Sequence, residues 1–206
     1  MTSKTPSPRP IDSAVLAAAA GGISGTAGTD RLTGTAGNDQ FFAGDGADTI
    51  LAYAGNDTVA AGLGNDSVRG HEGNDSINGG EGIDQLYGDQ GNDTINGGQG
   101  SDFIVGGTGA DMLFGDEAYG VQGDDQFVWS QGDGNDTING GGGSDLLVLK
   151  DTGLTLQQLL NAINETSTTQ ARIEGNSINL TGVTGTIRIG NETISFSQME
   201  RLMIQN

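Results

Sequence analysis

The sequence predicts an all-β fold: a parallel solenoid of short strands, closed at its C-terminal end by a small α+β cap. Two observations carry that prediction. A nine-residue phrase runs ten times without a gap through residues 25–114, cleanest in GGEGIDQLY (79–87), GGQGSDFIV (97–105) and GGTGADMLF (106–114). The second is composition: 33% of residues are hydrophobic and 38 are glycine, too little apolar surface for an ordinary globular core. A fixed short period instead marks stacked units that bury their apolar side against one another.

The lead segment is residues 1–24. Its first twelve residues hold all three prolines with Lys4, Arg9 and Asp12, and read as a flexible lead. Residues 13–20, SAVLAAAA, read either as the apolar part of a secretory signal or as a short helix N-capped by Asp12 or Ser13 over the first repeat. The apolar run is short and alanine-weighted, which favours the helix.

Residues 25–148 carry the repeat. Position four is glycine at Gly28, Gly37, Gly46, Gly55, Gly64, Gly73, Gly82, Gly91, Gly100 and Gly109. Position six is aspartate at Asp30, Asp39, Asp48, Asp57, Asp66, Asp75, Asp84, Asp93, Asp102 and Asp111. Position eight is apolar from Leu32 to Leu113. Positions seven to nine have the period-two pattern of a very short strand with position eight pointing inward. The other six residues read as a turn, with a glycine at position four for a backbone angle that a side chain forbids. Position five is Asn38, Asn56, Asn65, Asn74 or Asn92 in half the copies, and Asn tolerates left-handed geometry best after glycine. Two nonads make one coil, so the regular array is roughly 24 Å long at ~4.8 Å per coil, with two rows of apolar side chains as its core.

The period breaks at GDEAYGVQ (115–122), roughly six residues too long for the repeat. It resumes at GDDQFVW (123–129), GDGNDTIN (132–139) and GGGGSDLLV (140–148), which bring Asp125, Asp136 and Asp145 to position six. Residues 149–206 change character. Thr155 and Gln158 have capping-box spacing ahead of the stripe Leu156, Leu159, Leu160 and Ile163. RIEGNSINL (172–180) and TIRIGNETISF (186–196) each read as a hairpin around Gly-Asn. SQMERLMI (197–204) fits a capped helix or a last strand. A solenoid's end exposes its core and strand edges, so a cap belongs here.

The net charge of −19 falls entirely in residues 25–148, where eighteen Asp and three Glu face Arg31 and Arg69. Such a field excludes nucleic acid and anionic membrane as partners and attracts cations. No apolar run approaches the ~20 residues of a transmembrane helix. Cysteine is absent, so disulfides do not hold the fold, and the redox compartment stays open. Stacking the coils puts Asp30, Asp48, Asp66, Asp84 and Asp102 in one column and Asp39, Asp57, Asp75, Asp93 and Asp111 in the other. Carboxylates about 5 Å apart repel by ~1 kcal/mol per neighbouring pair even at high dielectric. Either the columns stay solvated and the fold is marginal, or cations sit between successive loops. Every donor in these loops is an oxygen, and the chain's one imidazole is His71, so the set suits Ca²⁺ over Mg²⁺. One site between each pair of stacked loops gives about eight in the regular array, and eleven as an upper bound with the later nonads.

The phrase GGxGxD followed by an apolar residue closely resembles the calcium-binding nonapeptide of the RTX (repeats-in-toxin, haemolysin-type) family. The resemblance implies a right-handed parallel β-roll with Ca²⁺ held by the position-six aspartates and by carbonyls of each loop's first four residues, the glycines above included. Thr26, Thr35, Tyr53 and His71 depart from glycine at position two, and Ala43, Ala52 and Ala61 at position one. The tail ISFSQMERLMI is similar to the segment that closes the roll in many members. Export by a type I secretion machinery to the extracellular space, with an uncleaved C-terminal signal, is the expected route. A self-repelling chain stays threadable where calcium is scarce and folds where metal supplies the energy. The chain lacks the HExxH and Gly-x-Ser-x-Gly motifs of enzymes often joined to these repeats, so no catalytic residue is expected. The outward residues Phe103, Val105, Met112 and Phe114 are expected to lie under the cap. The alternative function is a non-catalytic adhesion or polysaccharide-binding protein, or an accessory module of a larger enzyme, with a cell-surface or glycan partner.

Overall fold

The computed structural model describes residues 22–116, 122–165 and 170–206. The 13–20 stretch lies outside the described residues, as does 117–121 within the break of the period. Two ten-stranded sheets carry the chain. The first stacks β1 (Ile23–Ser24), β3 (Gln40–Asp45), β5 (Thr58–Leu63), β7 (Ser76–Glu81), β9 (Thr94–Gln99), β11 (Met112–Asp116) and β13 (Asp136–Asn139) in parallel. The second stacks β2 (Arg31–Thr33), β4 (Thr49–Ala54), β6 (Ser67–Glu72), β8 (Gln85–Gln90), β10 (Phe103–Thr108), β12 (Gln126–Ser130) and β14 (Leu146–Lys150). Successive strands alternate between sheets, so each coil takes two nonads and Val59 stacks on Ile77 eighteen residues on. This is the expected parallel β-roll.

Position eight faces inward throughout. Phe41, Val59, Ile77, Ile95 and Leu113 form one buried row, and Leu32, Ile50, Val68, Leu86 and Ile104 the other. Ile23 adds a rung ahead of the first repeat, stacked on Phe41. Towards the C-terminal end Trp129 and Leu149 fill places held by glycine or alanine earlier, and the core widens.

The strands are longer than the period-two pattern predicts. β5 runs from position seven through position three of the next nonad, and its pairing resumes at Gly62↔Gly80 and Leu63↔Glu81 after skipping position one. The turn proper is therefore only positions four to six. Position two bends the strand at positive φ while keeping the ladder, which is why the glycine there read as part of a turn. At position four the expected angle is found from Gly46 (φ 133°) to Gly109 (φ 150°), whereas Gly28 and Gly37, on the first coil, are not in the left-handed region. The asparagines do not take left-handed geometry either. They form a ladder instead: Asn56 N–H donates to Asn38 Oδ1 at 2.9 Å, Asn74 N–H to Asn56 Oδ1 at 2.9 Å, and Asn92 N–H to Asn74 Oδ1 at 2.7 Å.

Ile104 stacks on Phe127, and Leu113 on Ile138, so the extra residues are shared between the 117–121 region and the turn after Ser130. The C-terminal region caps the roll by continuing both of its sheets. β19 (Glu192–Ser197) pairs parallel with β13, and β20 (Arg201–Gln205) parallel with β14, adding one more rung to each sheet. SQMERLMI is thus resolved as a turn and a last strand. Both predicted hairpins form: β16 (Arg172–Glu174) with β17 (Ser177–Asn179), and β18 (Gly185–Ile189) with β19. With β15 (Ile163–Glu165) they end the sheets in antiparallel pairing. α1 (Leu156–Ala162) has the predicted capping box of Thr155 and Gln158. This region extends the stack along its axis, and among the described residues Phe103, Val105 and Phe114 stay half-buried on the flank. Met112 remains 47% exposed, and Phe103 rests on Tyr87 rather than under a cap.

Candidate metal centre

The turns bring the position-six aspartates into two columns, one at each bend of the roll. In the first, Asp30 N–H donates to Asp48 Oδ1 (2.7 Å), and the same bond joins Asp48 to Asp66, Asp66 to Asp84, Asp84 to Asp102, Asp102 to Asp125 and Asp125 to Asp145. In the second it joins Asp39 to Asp57, Asp57 to Asp75, Asp75 to Asp93, Asp93 to Asp111 and Asp111 to Asp136. All thirteen predicted aspartates therefore fall into eleven neighbouring pairs, and Asp125, Asp136 and Asp145 join their columns across the broken period.

One oxygen of each carboxylate except those of Asp30 and Asp39, which begin the columns, is thus spoken for; the other decides the chemistry. Oδ2 of Asp48, Asp57, Asp66, Asp75, Asp84, Asp93, Asp102, Asp111, Asp125 and Asp145 is buried with no hydrogen-bond partner. A buried carboxylate oxygen left so costs about 1–3 kcal/mol or more, the same order as the ~2 kcal/mol gained by burying the one position-eight side chain its nonad supplies. Burial pushes Asp66, Asp102, Asp111, Asp125 and Asp145 up to about 7. It raises Asp57, Asp84, Asp93 and Asp136 to about 6. The backbone N–H bonds oppose these shifts, and in all but Asp84 nearby charged carboxylates add to them.

The loop carbonyls meet the same oxygens. A Cβ built on Gly79 would strike both Asp84 Oδ2 and the Gly97 carbonyl of the next coil, and one on Gly97 would strike Asp102 Oδ2 and the Gly115 carbonyl. Position one is glycine there because its Cβ place is taken by a carboxylate and a carbonyl. Among the described residues no three acidic or histidine side chains are grouped to hold a metal by themselves, so a cation must draw on backbone carbonyls as well as carboxylates. An oxygen-only set with orphaned buried carboxylates fits a hard divalent ion.

The first loops differ. Asp30 Oδ2 accepts from Thr26 N–H (2.6 Å) and Thr26 Oγ1 (2.8 Å), and Asp39 Oδ2 accepts from Thr35 in the same way. The position-two departures thus matter: threonine satisfies the oxygen that later loops leave bare. His71 is no rung of the columns: its ring stacks on Tyr53 (5.4 Å, 7° between planes), its Nδ1 lies 3.4 Å from Asp89 Oδ2, and its charge opposes the burial that raises Asp75.

Stacked carboxylates with bare buried oxygens, faced by glycine-loop carbonyls along both bends of a parallel roll, define a cation-binding repeat protein. The RTX calcium-binding nonapeptide repeat matches this chain in four copies, at residues 24–59, 51–86, 87–127 and 132–149. These cover more than half of its length, and the chain belongs to that family: it is a calcium-binding β-roll protein. No curated protein matches it. The repeat fold is itself non-catalytic, and no helix among the described residues is long and apolar enough to cross a membrane.

Proposed function

We propose that this protein is exported unfolded through a type I secretion channel and folds outside the cell on binding calcium between successive loops. The single observation behind this reading is the set of ten aspartates whose Oδ2 is buried without a partner. The ligands assigned are the position-six aspartates and carbonyls of the adjoining glycine loops, and calcium supplies the positive charge that cancels their repulsion when bound. Where calcium is scarce, a chain of net charge −19 with no cysteine has little to hold it folded. In chelator, circular dichroism is expected to show mostly coil, with cooperative β-structure on adding millimolar Ca²⁺; a folded chelated protein would sink the proposal. Asp84→Asn with Asp102→Asn is expected to lower the calorimetric calcium stoichiometry and weaken the roll. Asp30→Asn, whose oxygen Thr26 already satisfies, should change it far less.

A second reading, saccharide binding on the flank of the roll, draws on one groove. Tyr53, His71 and Asp89 occupy position two on successive coils of one sheet, all at positive φ (77°, 76° and 75°) where most other nonads have glycine. They line a groove of about 420 Å³ with Glu72, Gln90 and Asp133. Tyr53 stays 45% exposed although His71 covers one ring face, offering a stacking platform beside carboxylates and an amide. A glycan array with the calcium-loaded protein tests it: binding lost in Tyr53→Ala supports the groove, and no binding to any glycan removes it.

A further inference from the structure

The first aspartate column does not end at Asp145. Asp125 N–H donates to Asp145 Oδ1 at 2.8 Å, and Asp145 N–H in turn donates to Glu200 Oε2 at 2.8 Å. The register explains why. Leu202 stacks on Leu147, so Glu200, two residues before Leu202, stands where Asp145 stands two residues before Leu147. The carbonyls continue in step. A Cβ on Gly115 would strike Asp125 Oδ2 and the Gly140 carbonyl; one on Gly140 would strike Asp145 Oδ2 and the carbonyl of Gln198. Gln198 holds positive φ (50°), and Met199 beside it is fully buried, which anchors the turn. Phe196 and Leu202 are only six residues apart, against nine in a repeat, and the longer glutamate side chain compensates for the shortened turn.

Asp145 is 0% exposed, and its Oδ2 has no hydrogen-bond partner. It has the same bare oxygen as the repeat aspartates, but what lies beyond it is a turn of the C-terminal segment that no glycine-aspartate phrase marks. The other column has no such continuation: Asp136 stacks on Ile194, which offers no carboxylate.

We propose that a calcium ion binds at this end, between the loop of residues 140–145 and the turn of residues 198–200. Its ligands are drawn from the carboxylates of Asp145 and Glu200 and the carbonyls of Gly140 and Gln198. The donors are all oxygens, two of them carboxylates, as a hard divalent cation requires. The site ties β20 to β14 and makes docking of the C-terminal segment depend on calcium. It rests on the reading that the repeat loops bind calcium, and it adds one site beyond the eleven stacked aspartate pairs.

The test is native mass spectrometry of the full chain at saturating Ca²⁺, comparing wild type with Glu200→Gln, Glu200→Lys and, as a charge control outside the repeat loops, the exposed Glu174→Gln. Glutamine keeps an acceptor for Asp145 N–H, and lysine brings a positive charge to the bare oxygen. Both position-200 variants are expected to carry one ion fewer than wild type, with faster hydrogen exchange confined to residues 198–206, while Glu174→Gln matches wild type in ion count. An unchanged ion count and exchange in Glu200→Gln overturns the end site. So does loss of all calcium-induced folding in both position-200 variants, because one end site cannot be required for the rest. A wild-type protein that binds no calcium defeats instead the reading on which this one rests.

Discussion

At the scale of single residues, the carboxylate oxygens control how stability responds to pH. Asp66, Asp102, Asp111, Asp125 and Asp145 titrate near 7 within the folded roll, against 3.8 for an unperturbed aspartate. A carboxyl whose folded value is raised stabilises the fold while protonated, fully below its unfolded value of about 4, and that contribution is lost as pH rises through about 7. In chelator, the β-signal is therefore expected to grow as pH falls from about 7.5 toward about 4.5, while calcium affinity moves the opposite way, weakening below about 6. Circular dichroism and calorimetry over that range check both signs; a chelated protein that loses structure on acidification contradicts the assignment. Asp89 offers a second test. It sits at φ 75°, with Oδ2 bare of hydrogen bonds, half-buried Arg69 and His71 as its cationic neighbours among the described residues at 3.5 and 3.4 Å, and a negative charge that adds to the upward shifts of Asp75 and Asp93. Such surface contacts contribute ~0–1 kcal/mol, less than the ~1–2 kcal/mol of left-handed strain on a residue with a Cβ. Asp89→Gly is expected to raise the thermal midpoint of the calcium-loaded protein by about 2–4 °C. A fall would mean that Asp89 holds Tyr53 and His71 in place at a net gain.

At the scale of one nonad, two side-chain ladders run in opposite directions. Each aspartate N–H donates forward to the carboxylate of the next coil, as Asp84 does to Asp102; each asparagine side chain accepts from the following coil, as Asn74 does from Asn92. A nonad is thus tied to both neighbours by polar groups at adjacent positions, while position eight supplies the apolar contact. These contributions differ in size. Ile95→Ala, at a fully buried row position, is expected to cost about 2–5 kcal/mol in denaturant unfolding of the calcium-loaded protein. Asn74→Ala, which removes the exposed bond that Asn74 Oδ1 accepts from Asn92 N–H and that water can replace, should cost ~0.5–1 kcal/mol. Comparable losses would mean the asparagine ladder, not the core row, fixes the stack. The period, the inward position eight and the two columns were all legible in the sequence, because each depends only on spacing. Strand length was not: glycine at position two looks like a turn residue, and only the stacked backbone shows that Gly62 and Gly80 still pair. The role of asparagine was missed for a related reason, since its partner is eighteen residues away.

Across the whole molecule, the roll is a stack whose ends are finished differently from its middle. The last rung was hard to read because it keeps only the apolar beat, Phe196 and Leu202, and drops glycine and aspartate; Glu200 then takes the acidic position without the phrase that would mark it. Charge is the property that spans the array. With −19 overall, long-range repulsion alone would make any salt stabilising, since at 1 M the Debye length shrinks to about 3 Å. The column geometry argues for a different requirement. The bare oxygens belong to aspartates no more than 3% exposed, out of reach of a diffuse ion atmosphere, and need a ligand that enters the loop and meets carboxylate and carbonyl together. Sodium chloride at about 1 M is therefore expected to leave the chelated protein mostly coil, while calcium at a thousandth of that concentration folds it. Magnesium, which holds its water in a tighter octahedron, should fall between the two. If sodium chloride alone restores the β-signal in circular dichroism, repulsion between exposed charges is the whole obstacle to folding, and the ladder is not built for a coordinated ion.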